Sequence, residues 1–368
     1  MQKERLLSLD AFRGMTIAGM LLVNNPGTWS SIFPPLRHAE WHGCTPTDLI
    51  FPFFLFIVGI SMTFSFSKRK LEQNDKNKLL IHVIRRSIII YLLGFILTFF
   101  YRWDLSTVRI PGVLQRISVC YLFASVIYLY LKPRGRIIAG ISLLAVYWIL
   151  VRLVPVPGFG AGDLSRDGNI IGYVDTLLLS GHLYMRNFDP EGIISTLPAI
   201  VTVLTGTFIG NWIRSGKDKI HISNGLFVSG TVMFLAGYVW SIWLPINKQL
   251  WTNSYVFYTA GIGTILLGLF YWLIDIKGIK KWSIPFVIFG TNAILAFFMS
   301  SFFSKTLYTT RITVSDGSET SLYGWIYNNI FKGIGSPEFS SLLFALTYVL
   351  FWVGIMYIFY KKRIFVKV

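Results

Sequence analysis

Residues 49–66 read LIFPFFLFIVGISMTFSF, a run with no acid and no base. A helix needs about 20 apolar residues to cross the hydrocarbon core of a bilayer. The run is continuously apolar, whereas the strand of a membrane barrel alternates. It therefore predicts a membrane-spanning helix. Working outward, comparable runs fall near 9–27, 47–67, 86–101, 113–131, 137–154, 193–213, 222–242, 255–274, 284–303 and 340–360. Together they predict an all-α, polytopic integral membrane protein with about ten transmembrane helices, read as a single domain over 1–368.

Composition agrees. The chain is 54% hydrophobic and 14% charged, against about 25% charged in soluble domains. Too little polar surface remains to solvate a globule of this length. The net charge of +17 argues for contact with anionic membrane lipid rather than nucleic acid, because no basic patch outside the spans is interleaved with aromatics. Of the Lys and Arg residues, 22 fall in one set of loops, from Lys3 and Arg5 through Lys68, Arg69 and Lys70 to Lys361, Lys362, Arg363 and Lys367. Nine, Arg102 among them, fall in the alternate set. That asymmetry predicts both termini in the cytoplasm, which an even number of spans requires. The outer segments then hold most of the acids, including Asp175, Asp189, Glu191 and Asp316.

Two cysteines, Cys44 and Cys120, exclude a disulfide framework. His38 and His42 have the spacing of a helical metal pair, but Pro34, Pro35 and Gly43 make that stretch a loop, so no metal is expected. The first apolar stretch lacks a small-x-small cleavage site and is expected to be retained as a helix. No internal repeat is visible, which argues against a transporter. Small residues such as Gly206 and Gly210 allow a homodimer.

Ionisable groups near or within spans are functional candidates by default. His38, in a short polar loop between two spans, can move protons near neutral pH. Asp48 opens the second span, where it complements the helix dipole, orients His38 or binds an ammonium. Asp10 and Arg13 share a helical face, as an interfacial anchor or part of a site. Asn24 and Asn25 either cap the first helix or serve the site. Arg109, Gln115 and Arg116 make a plausible anion clamp, although snorkelling also explains an interfacial Arg. Asp189-Pro190-Glu191 reads as a helix N-terminus or as carboxylates for an amine or sugar. Asn292, inside the ninth span, is interhelical glue or a site residue.

Several segments occur in a fixed order: Asp10-x-Phe12-Arg13-Gly14, Leu22-Val23-Asn24, His38-Ala39-x-Trp41-x-Gly43, Asp48-Leu49-Ile50-Phe51-Pro52 running to Gly59, and Arg109-Ile110-Pro111-Gly112-Val113-Leu114-Gln115-Arg116. With Asp189-Pro190-Glu191-Gly192 and Lys248-x-x-Trp251-Thr252, this series resembles heparan-α-glucosaminide N-acetyltransferase and its bacterial relatives, from about residue 5 to 300. The resemblance implies transmembrane acetyl transfer from cytoplasmic acetyl-CoA to the amine of a glucosamine-type sugar on the extracytoplasmic side. It places the active-site histidine at His38 and its partner asparagine at Asn24. His42 stands where the lysosomal member has Asn, and that member's long N-terminal luminal extension has no counterpart here. These departures point to an envelope or catabolic amino sugar at a bacterial cytoplasmic membrane.

Under this reading His38 is the general base or the acetyl acceptor, Asn24 the oxyanion donor and Asp48 the third catalytic candidate. Arg13, Arg109, Gln115 and Arg116 are candidates for holding acetyl-CoA, a co-substrate. Trp41, Asp189 and Glu191 are candidates for holding the acceptor sugar. A transporter or exporter of an amino sugar or lipid-linked glycan, and a non-catalytic scaffold, are the competing classes. Acetyl-CoA binding and release of free CoA separate them.

Overall fold

The computed structural model describes residues 6–73, 75–314 and 317–366, and of 68–73 and 101–102 the backbone alone. Lys3, Arg5, Asp316 and Lys367, and the side chains of Lys68, Arg69, Lys70 and Arg102, lie outside the described residues. The protein is an all-α polytopic membrane protein. Among the described residues, eight helices are long and apolar enough to cross a bilayer, or nine if the bent pair 281–309 is one span. The first expected span, α1 (Leu7–Asn24), is helical but stands outside this set, and it carries Asp10, Arg13 and Asn24.

The chain forms two compact units. The first holds Met1–Ala39, Thr45–Phe51 and Phe270–Val368. Here α1 crosses α10 (Ile284–Thr291) at a pair of glycines. A Cβ on Gly14 would lie 1.6 Å from the Phe286 carbonyl oxygen, and one on Gly290 1.9 Å from that of Asp10. Only glycine permits this approach, the membrane form of small-residue packing. The bond from Arg13 Nη1 to the Gly290 carbonyl, 3.0 Å, closes the same crossing.

The ninth expected span is broken. α10 and α11 (Ala293–Thr309) meet at 75° about Asn292. Asn292 Nδ2 donates to the Ile364 carbonyl at 2.9 Å, and Val366 N–H donates to Asn292 Oδ1 at 2.8 Å. Its amide thus serves as glue, holding the C-terminal segment at the bend. After α11 come a short hairpin of β3 (Arg311–Thr313) and β4 (Glu319–Ser321), α12 (Leu322–Ile326) and the last span, α13 (Pro337–Lys361). Gly27 N–H bonds the Ser341 carbonyl at 3.1 Å, and Tyr323 Oη donates to the Pro26 carbonyl at 2.8 Å. These bonds fix the chain as it leaves α1 toward the His38 loop.

The second unit holds Glu40–Cys44 and Pro52–Leu269. Its long helices are α2 (Ile50–Gln73, which begins in the first unit), α3 (Lys76–Arg102), α4 (Val113–Tyr130), α5 (Pro133–Leu153), α7 (Thr196–Ile213), α8 (Lys219–Trp240) and α9 (Asn253–Tyr271). Pro52, Pro133 and Pro198 sit in first turns, where a missing N–H costs nothing. α2 and α7 meet at a second glycine pair: a Cβ on Gly59 would stand 2.0 Å from the Val203 oxygen, and one on Gly206 2.1 Å from that of Phe56. α3 starts at Lys76 rather than near 86, because the Asp75 side chain accepts from the N–H groups of Asn77 and Lys78. Between α5 and α7 lie the short β1 (Pro155–Val156) and β2 (Gly160–Ala161) and a ten-residue helix, α6 (Ile170–Leu179), capped by Asn169.

Candidate functional site

In the first unit the His38 loop is held between two 3-10 turns, Pro34–Leu36 and Pro46–Leu49. Thr45 and Asp48 form a capping box at the second turn. Thr45 Oγ1 also donates to the Arg37 carbonyl at 2.7 Å, tying the two arms of the loop together. Asp48 is the hub. Its Oδ2 accepts from Ala39 N–H, Thr45 N–H and Thr45 Oγ1, each at 3.0 Å. Its Oδ1 lies 2.7 Å from His38 Nδ1.

The carboxylate is 1% exposed and the imidazole 47%. A buried anion held by two backbone N–H groups, and sharing the Thr45 hydroxyl hydrogen with the Arg37 carbonyl, orients a half-exposed ring. A carboxylate accepts only, so Nδ1 carries the proton and Nε2 the basic lone pair. Such an imidazole can take a proton from a substrate atom while Asp48 stabilises the cation that results. Asn24 is the last residue of α1 and is exposed. Its side chain makes no hydrogen bond among the described residues. Its neighbour Asn25 is buried and donates back to the Leu21 carbonyl at 2.8 Å, a local bond at the end of the helix. Arg13 pairs with Asp10 at 2.9 Å as its spacing foretold.

The second unit brings other candidates together. Arg109 Nε and Nη2 donate to Asp189 Oδ2 and Oδ1 at 2.8 and 2.6 Å, and Nη2 also reaches Glu191. Burial opposes the Arg109 charge, but Glu191 and Asp189 raise its pKa above the ordinary value. Residues read separately as an anion clamp and as sugar carboxylates thus form one buried ion cluster. Asp189, fully buried, further accepts from Tyr184 N–H at 2.8 Å and Glu191 N–H at 2.9 Å.

One helical turn into α4, Arg116 is 2% exposed. Its Nη2 donates to the Gly192 carbonyl at 3.0 Å and to Ser195 Oγ, and its guanidinium lies 5.1 Å from the Trp251 ring centre. Arg116 Nε and Nη1, and Gln115 Nε2, are buried with no hydrogen-bond partner among the described residues. Both side chains line a cavity of about 460 Å³ with Tyr91, Phe123, Glu191 and Leu197. Unpaired buried donors are costly, so an acceptor oxygen, from water or a ligand, would suit these side chains.

Trp41 Nε1 donates to the Leu164 carbonyl at 2.7 Å, its ring meets Phe188 edge-on, and the Arg166 guanidinium lies 5.3 Å from its centre. His42 Nδ1 lies 3.3 Å from Asn247 Nδ2, and burial lowers its pKa. Among the described residues no group of three or more potential metal ligands occurs.

Sequence reasoning missed two features. Asp175, on α6 outside the spans, is fully buried and accepts from Ile193 N–H at 2.8 Å, while its Oδ2 has no hydrogen-bond partner among the described residues. Burial pushes its carboxyl up to about 6. The apolar pattern around it marks α6, and an acid in that pattern was the available signal. The second is a basic cavity built from loop cations counted only for topology.

Residues 5–237 match the family described as heparan-alpha-glucosaminide N-acetyltransferase, catalytic. The chain is 28% identical over 423 aligned residues to heparan-alpha-glucosaminide N-acetyltransferase of Mus musculus, covering 99% of this chain and 61% of that protein. It is 29% identical over 422 residues to the Homo sapiens protein of that name, covering 99% and 60%. The chain spans about three fifths of the length of these relatives.

Proposed function

Since the chain belongs to the heparan-alpha-glucosaminide N-acetyltransferase family, we propose that it is a transmembrane acetyltransferase. It moves the acetyl group of cytoplasmic acetyl-CoA to the amine of a glucosamine-type sugar on the extracytoplasmic side. The whole chain acts as one acyltransferase domain, with both termini cytoplasmic, in a bacterial cytoplasmic membrane. The observation that carries this reading is the 2.7 Å contact between His38 Nδ1 and buried Asp48.

The amine nitrogen attacks the thioester carbonyl carbon. His38 Nε2 takes the proton that the amine loses. The C–N bond forms, the C–S bond breaks, and the sulfur leaves with its electron pair to be protonated by the imidazolium. A positioned base of this kind contributes about 10²–10⁴-fold. Asp48 holds the tautomer and offsets the imidazolium charge. Asn24 donates its amide N–H to the oxyanion of the tetrahedral intermediate. In a route through an acetylated imidazole, Nε2 is again the reacting atom.

Gln115 and Arg116 hold the co-substrate, because their unpartnered donors suit the carbonyl oxygens of a pantetheine arm. Arg109 and Arg13, whose guanidiniums hold Asp189 with Glu191 and Asp10 respectively, are positioning residues. Trp41, Glu191 and Asp189 serve the acceptor sugar, Asp189 by fixing the turn that presents Glu191.

The test is release of free CoA by purified protein given acetyl-CoA and a panel of amino sugars. Amine-dependent release of free thiol supports the reading. Transport of labelled sugar without thioester consumption replaces it with the transporter.

A further inference from the structure

The second unit carries another cavity, of about 410 Å³, lined by Phe66, Asp75, Lys76, Tyr128, Arg136 and Arg214 among others. It sits where α2, α4 and α7 end and α3 and α5 begin. Three cations face one acid, and Asp75 spends Oδ1 on the N–H groups of Asn77 and Lys78. Arg136 is braced: its guanidinium lies 3.8 Å from the Tyr128 ring centre, with Nε and Nη2 bonded to the carbonyls of Leu131 and Tyr128. Arg214 Nη1 is anchored on the Thr63 carbonyl at 3.0 Å. Lys76 opens α3, is exposed, and has no hydrogen bond among the described residues. Scattered topology charges have no reason to share the wall of one cavity, or to be braced by backbone and aromatic rings.

We propose that this cavity binds a phosphate monoester dianion through Lys76, Arg136 and Arg214. Two braced guanidiniums supply fixed forks, and the flexible ammonium supplies a point charge, a combination suited to phosphate oxygens. The source that fits best is the nucleotide end of the co-substrate, a choice that rests on the acetyltransferase reading. Tyr128 at this cavity and Arg116 at the other lie on one helix, 12 residues and hence about 18 Å apart along its axis. A single extended molecule with phosphate at one end and amide carbonyls along its arm would meet both. A lipid phosphate headgroup has the same chemistry and is the other source.

The test is titration calorimetry of the full-length protein in detergent with CoA and with dephospho-CoA, which lacks the 3′-phosphate. It uses wild type, Lys76→Glu and, as rescue, Lys76→Arg, each checked for an unchanged melting temperature. Wild type should bind CoA about tenfold or more tighter than dephospho-CoA. Lys76→Glu should erase that preference, and Lys76→Arg should restore it. In parallel, melting is compared in nanodiscs of phosphatidic acid and of phosphatidylcholine. If Lys76→Glu abolishes stabilisation by phosphatidic acid but spares the CoA preference, the phosphate site stands with a lipid as its source. If wild type ignores CoA yet keeps a Lys76-dependent response to phosphatidic acid, the acetyltransferase reading fails and the phosphate site remains. If Lys76→Glu changes neither response, the site is overturned.

Discussion

The Asp48 carboxylate touches both sides of the His38 peptide unit: Oδ1 meets the imidazole Nδ1 at 2.7 Å and Oδ2 accepts the next N–H, of Ala39, at 3.0 Å. One buried carboxylate therefore sets the tautomer of the ring and the path of its backbone.

Asp48→Asn keeps the shape but replaces an anion with an amide that can present N–H to Nδ1. The basic lone pair then shifts away from Nε2. The turnover number for acetyl transfer should fall by about 10² or more, with KM for acetyl-CoA changed only a few-fold. Steady-state kinetics of the purified variant check this, and unchanged turnover would detach Asp48 from His38's role.

The glycine crossings make a stability prediction. Gly14→Ala and Gly206→Ala would place a methyl 1.6 Å from the Phe286 oxygen and 2.1 Å from the Phe56 oxygen. Backbone cannot yield cheaply, so each should cost about 2 kcal/mol or more. Gly354→Ala, in α13 with open space where the Cβ would stand, should be neutral or slightly stabilising. Fluorescence-detected melting compares the three.

The Arg109 cluster predicts asymmetry between Arg and Lys. Arg109→Lys keeps a charge but loses the fork that holds both Asp189 oxygens. It should destabilise the protein by about 2 kcal/mol, the worth of a hydrogen bond to a charged group, and the same melts would show it. A melt like wild type would mean that the fork contributes nothing.

Asp175 gives a pH dependence. Its carboxyl is held up to about 6 by burial, above the unfolded value of about 3.9. The folded protein therefore holds a proton that the unfolded chain releases. This contribution is complete below about pH 4 and is lost as pH rises through about 6. Asp175→Asn can keep the acceptor for Ile193 N–H and carries no charge. Relative to wild type it should gain on the order of 2 kcal/mol between pH 4 and 7. Parallel stability curves for the two proteins would contradict this.

Local and periodic information was legible in the chain. Residues 49–66 mark α2 without ambiguity, whereas the position of Asp48 at the start of that run left open whether it complements the helix dipole, orients His38 or binds an ammonium; the 2.7 Å contact brings it to His38. The Asp10–Arg13 pair follows from helical spacing. Long-range partners were not legible. Arg109 and Asp189 are 80 residues apart, and nothing in either segment says that a clamp and a carboxylate pair neutralise one another. The start of α3 was hidden because Lys76, Lys78, Arg85 and Arg86 break the apolar run while remaining good helix formers. The bend at Asn292 depends on its amide reaching residues 364 and 366, a tertiary contact that overrides a uniformly apolar sequence. The cations of the basic cavity lie at the ends of three different helices, so counting placed them on one side of the membrane without showing that they meet.

The proposed transfer depends on His38 Nε2, which handles the proton or the acetyl group. The direct measurement pairs calorimetric binding of acetyl-CoA with amine-dependent CoA release in purified His38→Ala protein. Binding within a few-fold of wild type is expected, with release lowered by about 10² or more. Release at the wild-type rate, in protein that melts normally, would contradict it.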